Sequence, residues 1–179
     1  MAEAMTKVIL IVLAFNHFRD EEYRVPRQTL EKAGYQVLVA SNQKGKATGM
    51  LGMRIEVDRL IEETTASGFD GLILVGGSGT PALYENSKLH KLIKEFITQK
   101  KPVGAICLAP VILARAGVLK GKKATVYASA SAEVKKGGAN YSPEPVVVDG
   151  QIVTADGPEA ALDFARTFLN LLSAPGETR

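Results

Sequence analysis

The sequence predicts an α/β fold in which helices cover both faces of a mainly parallel sheet. Strand-like runs alternate with amphipathic helical stretches over most of the 179 residues. Runs such as Lys7–Phe15, unbroken in its apolar residues after Lys7, and Leu72–Val75 are as expected of strands buried on both faces. Three of these runs lead directly into the segments "FNHFRDEE", "GGSGT" and "CLAP", each followed by a helical pattern. In sheets of this kind ligands bind beyond the carboxyl ends of the strands, so these three loops are the candidate site.

Lys7–Phe15 is the first strand. In "EEYRVPRQTLEKAGY" Val25, Leu30 and Ala33 fall on one helical face, and Gly34 supplies the stop. "YQVLVAS" is a second strand and Leu72–Val75 another. "SKLHKLIKEFITQKK" spaces Leu89, Leu92, Ile93, Phe96 and Ile97 as one face of a helix. "PVGAICL" is a strand, and "PVILARAGVLKG" a short helix that tolerates Pro110 in its first turn. "KKATVYA" reads as a strand, "SAEVKKGG" as a short helix, and "PVVVDGQIVTA" as a β-hairpin turning at Asp149-Gly150. "PEAALDFARTFLNLL" is the closing amphipathic helix, and "SAPGETR" is expected to fray. With no linker or repeat, residues 1–179 are expected to form a single domain, ordered over about 7–172.

A net charge of +3, spread without a basic arm, points away from nucleic acid. One cysteine and two histidines make no intramolecular disulfide and fit no zinc spacing, so no metal is expected. "KVILIVLAF" lacks a signal-peptide cleavage site, and no apolar run approaches the ~20 residues of a membrane helix. The expected location is cytoplasmic.

The sole cysteine, Cys107, lies in "VGAICLAPVILARAG" between a strand and a helix. Such an arrangement suits a nucleophile elbow, in which the next amide (here that of Leu108) is an oxyanion donor. Ala105 and Ala109 stand where glycines would be most diagnostic, and the pattern alone fits a buried core cysteine better than a nucleophile. A helix N-terminus contributes at best ~2 kcal/mol, too little to ionise a thiol of pKa ~8.5 fully at neutral pH. The remaining partners come from the first loop: His17, Asp20, Glu21 and Glu22. Favourable charge at a helix N-terminus accounts for Asp20 and Glu21. Glu22 is the candidate for a protonated acid that hydrogen-bonds the sulfur and shares one proton with it. "GGSGT" lacks the third glycine of a dinucleotide fingerprint and the G-K-[ST] of a phosphate loop. A tight turn explains Gly76 and Gly77, and a Gly77 amide directed into the crevice is the alternative.

Taken in order, "NHFRDEEYRVP", "FDGLILVGGSGTPAL", "KPVGAICLAPVILARAGVLKGKKAT" and "DGQIVTADGPEAALDFA" resemble the ThiJ/PfpI superfamily, the family of the Parkinson-associated protein deglycase and PfpI-type intracellular proteases. The likeness spans roughly Lys7 to Leu172. It implies a flavodoxin-like three-layer sandwich, a homodimer or higher homo-oligomer, and no cofactor. It implies Cys107 as nucleophile, Glu22 as its acid, and the Gly77 and Leu108 amides as oxyanion donors. The chain departs from the family at four points, one being Val75-Gly76-Gly77 in place of Pro-Gly-Gly. Leu108 replaces the histidine that follows the cysteine in PfpI-type proteases. Tyr127 occupies the region where other members place a histidine, and Arg19 replaces an earlier glutamate. Tyr127 and His17 are possible auxiliary groups; His90 is expected on the surface. The expected function is cysteine-dependent chemistry on small reactive carbonyls, of glyoxalase III or deglycase type. The alternatives are a non-enzymatic redox or stress protein sensing oxidation at Cys107, and a PfpI-like peptidase or amidohydrolase, which Leu108 disfavours.

Overall fold

A computed structural model describes residues 6–173. In chain order, β1 (Val8–Val12), β2 (Asn16–Phe18), α1 (Asp20–Lys32) and β3 (Gln36–Ser41) are followed by β4 (Lys46–Gly49), β5 (Arg54–Glu56) and β6 (Arg59–Leu60). Then come β7 (Gly71–Leu74), α2 (Ser87–Thr98), β8 (Val103–Ile106) and α3 (Pro110–Arg115). The remainder is β9 (Lys123–Ala124), α4 (Ser131–Lys136), β10 (Asn140–Tyr141), β11 (Val146–Asp149), β12 (Ile152–Ala155) and α5 (Ala161–Ser173).

Seven strands form the central sheet in the order β11-β12-β8-β7-β1-β3-β6. All pairs are parallel except β11 with β12. The β1 sequence "VILIV" is apolar throughout because both faces of the strand are covered. Ile9 and Ile11 pack into the layer holding Tyr23 and Leu30 of α1 and Phe164 and Phe168 of α5. Leu10 and Val12 face the layer holding Leu92 and Phe96 of α2, Ile112 of α3 and Val134 of α4. The result is a three-layer sandwich. After β3 and β6 on one side of β1, the chain crosses to place β7 and β8 on the other. The strand order thus reverses beside β1, and the loops after β1, β7 and β8 open there.

Several elements differ from the sequence expectation. Ala33 is exposed, and the inner face of α1 is Tyr23, Pro26 and Leu30 together with the buried acids Asp20 and Glu22. The strand expected over "KKATVYA" pairs only at Lys123–Ala124, parallel to β10. In the C-terminal hairpin Asp149 pairs with Ile152, so the two-residue loop is Gly150-Gln151. Gly150 has φ 62°, which suits a turn with glycine at its first central position. The small sheet β2-β4-β5 has no periodic signature in the sequence. Residues 174–179, most of the tail expected to fray, lie outside the described residues.

Candidate active site

Cys107 follows β8 directly and has φ 64°, in the left-handed region that a non-glycine residue adopts at a cost of roughly 1–2 kcal/mol. The surroundings hold it there. Its N–H donates to the Ala155 carbonyl at 2.9 Å, and its carbonyl accepts from the Tyr127 N–H at 2.8 Å. The strained turn swings the side chain off the strand axis, leaving the residue 8% exposed. The Leu108 and Gly77 amides lie near enough to the sulfur to favour its thiolate form.

The glycine loop after β7 packs backbone-to-backbone against the loop after β1. The Arg19 N–H donates to Gly76 O at 2.8 Å, and the Gly79 N–H to His17 O at 3.0 Å. Gly77 has φ 129°, and a Cβ there would meet the Arg19 nitrogen at 2.5 Å and the His17 carbonyl oxygen at 2.6 Å. Only glycine satisfies both demands. A Cβ on Gly76 would meet Cys107 Cβ at 2.6 Å and Glu22 Oε1 at 2.7 Å. The absence of a side chain at Gly76 is what lets acid and thiol approach one another.

Glu22, in the first turn of α1, is fully buried. Its Oε1 accepts from the Gly76 N–H at 3.0 Å, while the buried Oε2 has no hydrogen-bond partner among the described residues. The carboxyl and the Cys107 side chain meet across Gly76. Burial pushes Glu22 up to about 7, against the weaker opposing effect of Cys107 and the Gly76 amide. Cys107 is pushed up to about 12, first by burial and then by the charge of Glu22. Each group thus resists the negative charge of the other, so the pair holds one proton over a wide range above neutrality. Protonating Glu22 removes its charge from beside the sulfur, and the Leu108 and Gly77 amides then favour the thiolate.

A cavity of about 270 Å³ opens onto the sulfur. Gly77, Cys107 and Leu108 line its floor, with Arg19, Met50, Ser78, Tyr127, Ser129 and Pro158 around it. Tyr127 is 46% exposed on this wall. The His17 side chain is exposed and does not line the cavity; its contribution here is its carbonyl. His90 is half-buried on α2 and bonded through Nε2 to the Tyr84 carbonyl. No histidine therefore lines this cavity. Among the described residues, no three His, Cys, Asp or Glu side chains gather into a metal-binding group, and no helix is long and apolar enough to cross a membrane.

The sequence gives no sign of Met50 in the site, and it offers Asp20 only as a helix N-terminal charge. Buried Asp20 accepts from the Leu51 N–H at 3.0 Å and the Met53 N–H at 2.9 Å, fastening the β4–β5 turn. The turn brings Met50 to the cavity, where its Sδ accepts from the Ser78 N–H at 3.3 Å. Helix-terminal charge accounts adequately for Asp20 in the sequence, and nothing there links it to residues some thirty positions away. Charge-assisted hydrogen bonds contribute about 1.5–3 kcal/mol each, so Asp20→Ala is expected to lower the urea-unfolding free energy by at least about 2 kcal/mol. A loss below about 0.5 kcal/mol would show that these bonds add little.

Comparison with known proteins adds to this geometry. The model of the DJ-1/PfpI family matches residues 7–171. The putative cysteine protease YraA of Bacillus subtilis is 38% identical over 164 residues, covering 91% of this chain and 97% of that protein. Deglycase PfpI of Pyrococcus furiosus is 35% identical over 163 residues, covering 91% and 98%. The crystal structure of a ThiJ/PfpI domain protein from Brachyspira murdochii has a TM-score of 0.92 at 36% identity, covering 96% of this chain and 99% of that one.

Proposed function

The chain belongs to the DJ-1/PfpI family, and from that premise we propose that it is a cysteine-dependent enzyme acting on small reactive carbonyls, with Cys107 as nucleophile and Glu22 as its proton carrier. The observation that carries this reading is the buried acid set beside a thiol on a left-handed turn, at the floor of a small cavity. Relatives named deglycase and putative cysteine protease support this kind of chemistry at the level of the family. A peptidase would need a group to protonate its leaving amine, and no histidine lines the cavity to do so.

With methylglyoxal as substrate, the Cys107 thiolate adds to the aldehyde carbon. The carbonyl π pair moves to oxygen, and Glu22 protonates it to give a hemithioacetal. The Glu22 carboxylate then removes the proton from that carbon and delivers it to the neighbouring carbonyl oxygen, giving an enediol. Reprotonation at the neighbouring carbon and loss of the hydroxyl proton leave a thioester. Water cleaves it to lactate and the thiol. One carbon is oxidised as its neighbour is reduced, so no external oxidant enters. The Gly77 and Leu108 amides hold negative charge on sulfur before the addition and on oxygen during it.

The test is lactate production from methylglyoxal by the purified protein, with Cys107→Ala as control. Turnover in the wild type and none in the variant is expected; equal rates would refute the proposal. The same family reading leads us to propose that the chain works as a homodimer or higher homo-oligomer.

A further inference from the structure

Among the described residues lining the cavity Arg19 is the one with a charged side chain, and its guanidinium lies near enough to Cys107 and Glu22 for their charges to act on it. The other ionisable residues on the wall, among the described residues, are Cys107 and Tyr127, and Glu22 is fully buried. A neutral carbonyl compound needs no cation at this position. The guanidinium is also held in place. Arg19 Nε donates to Glu21 Oε1 at 2.8 Å and Nη2 to Glu21 Oε2 at 3.0 Å. Those two bonds use two of the five N–H donors, leaving three for another acceptor, including both on Nη1. Ser78 and Ser129 add hydroxyl groups to the same wall. The Glu21 hydrogen bond, joined by the charges of Glu21, Glu22 and Cys107, keeps Arg19 firmly protonated.

The geometry points to Arg19 as a specificity-determining residue that selects small carbonyl compounds bearing a carboxylate over their neutral counterparts. This inference rests on the proposed carbonyl chemistry at Cys107 and names its substrate class. The substrate carboxylate takes the free N–H donors of Arg19 while its carbonyl carbon lies over the sulfur. On addition, the C–S bond forms, the C=O π pair moves to oxygen, and the Glu22 proton neutralises it. The carboxylate remains ionised against Arg19 throughout. Guanidinium is suited to this task because its planar donors match a carboxylate and it stays charged at every working pH.

Iodoacetate and iodoacetamide test the selection without requiring turnover. Each is attacked by the Cys107 sulfur with loss of iodide, and they differ in having a carboxylate or a neutral amide. The quantity measured is the ratio of their alkylation rates at Cys107, divided by the same ratio for 2-mercaptoethanol. Because both rates scale with the thiolate fraction, any change in the thiol's own ionisation cancels. A normalised ratio of about fivefold is expected for the wild type, the scale of one charge pair near 4 Å in water. Arg19→Gln should return it to about 1, Arg19→Lys should retain part of it, and added salt should reduce it. A wild-type ratio near 1, or one unchanged in Arg19→Gln, overturns the inference and leaves the proposed function standing. Failure of both reagents to modify Cys107 in the folded protein overturns both.

Discussion

Gly76→Ala is expected to reduce Cys107-dependent turnover by about 100-fold, the effect typical of moving a reacting group by about 1 Å. The new methyl group would lie 2.6 Å from Cys107 Cβ, 2.6 Å from the Ile106 carbonyl oxygen and 2.7 Å from Glu22 Oε1. None of the three neighbours can yield easily. Cys107 is fixed through both its backbone groups, Ile106 ends a strand in the middle of the sheet, and Glu22 is fully buried. Overpacking of this kind typically costs about 1–3 kcal/mol, so the variant should fold with an intact far-ultraviolet spectrum and reduced stability. Turnover within threefold of the wild type would show that the approach of acid and thiol does not depend on the empty space at Gly76.

The second large effect concerns stability against pH. In the folded protein Glu22 is raised from its ordinary 4.5 to about 7 by burial. A raised carboxyl favours the folded state while protonated, so its full contribution is present below about 4.5 and is lost as pH rises through about 7. At 1.36 kcal/mol per pKa unit, the shift makes the wild type about 3 kcal/mol less stable at pH 8 than at pH 4.5 from this group alone. Glu22→Gln has no proton to lose and should not show this decline. Urea unfolding of both proteins at pH 5 and pH 8 measures the difference. Parallel pH profiles would mean that Glu22 ionises in the folded state as readily as in the unfolded one.

The sequence contains much of this site because each strand that supplies it is short, apolar and followed at once by its functional loop. β1, β7 and β8 could be read from "VILIV", "GLIL" and "VGAI", and the rule that ligands bind at carboxyl strand ends then brought Glu22, Gly77 and Cys107 together. Other parts depend on contacts without local pattern. Met50 enters the cavity because buried Asp20 fastens a turn far along the chain, and neither residue stands out alone. His17 lay in the right loop, but its carbonyl bonds Gly79 and its imidazole remains exposed. Arg19 was visible only as a departure from the family, and its place on the cavity wall follows from the bond between its N–H and Gly76. In each case a hydrogen bond made by the backbone to a distant part of the chain decided where the side chain went.

The central claim is that Cys107 and Glu22 share one proton, and the most direct test is the rate of Cys107 alkylation by iodoacetamide as a function of pH. The account predicts that reactivity rises with the first deprotonation of the pair, giving an inflection near pH 7, as Glu22 is raised to about 7. In Glu22→Gln the thiol has no acid to share with, and burial moves the inflection above the ordinary ~8.5 of a free thiol. A wild-type inflection at or above ~8.5, unchanged by Glu22→Gln, would contradict the account.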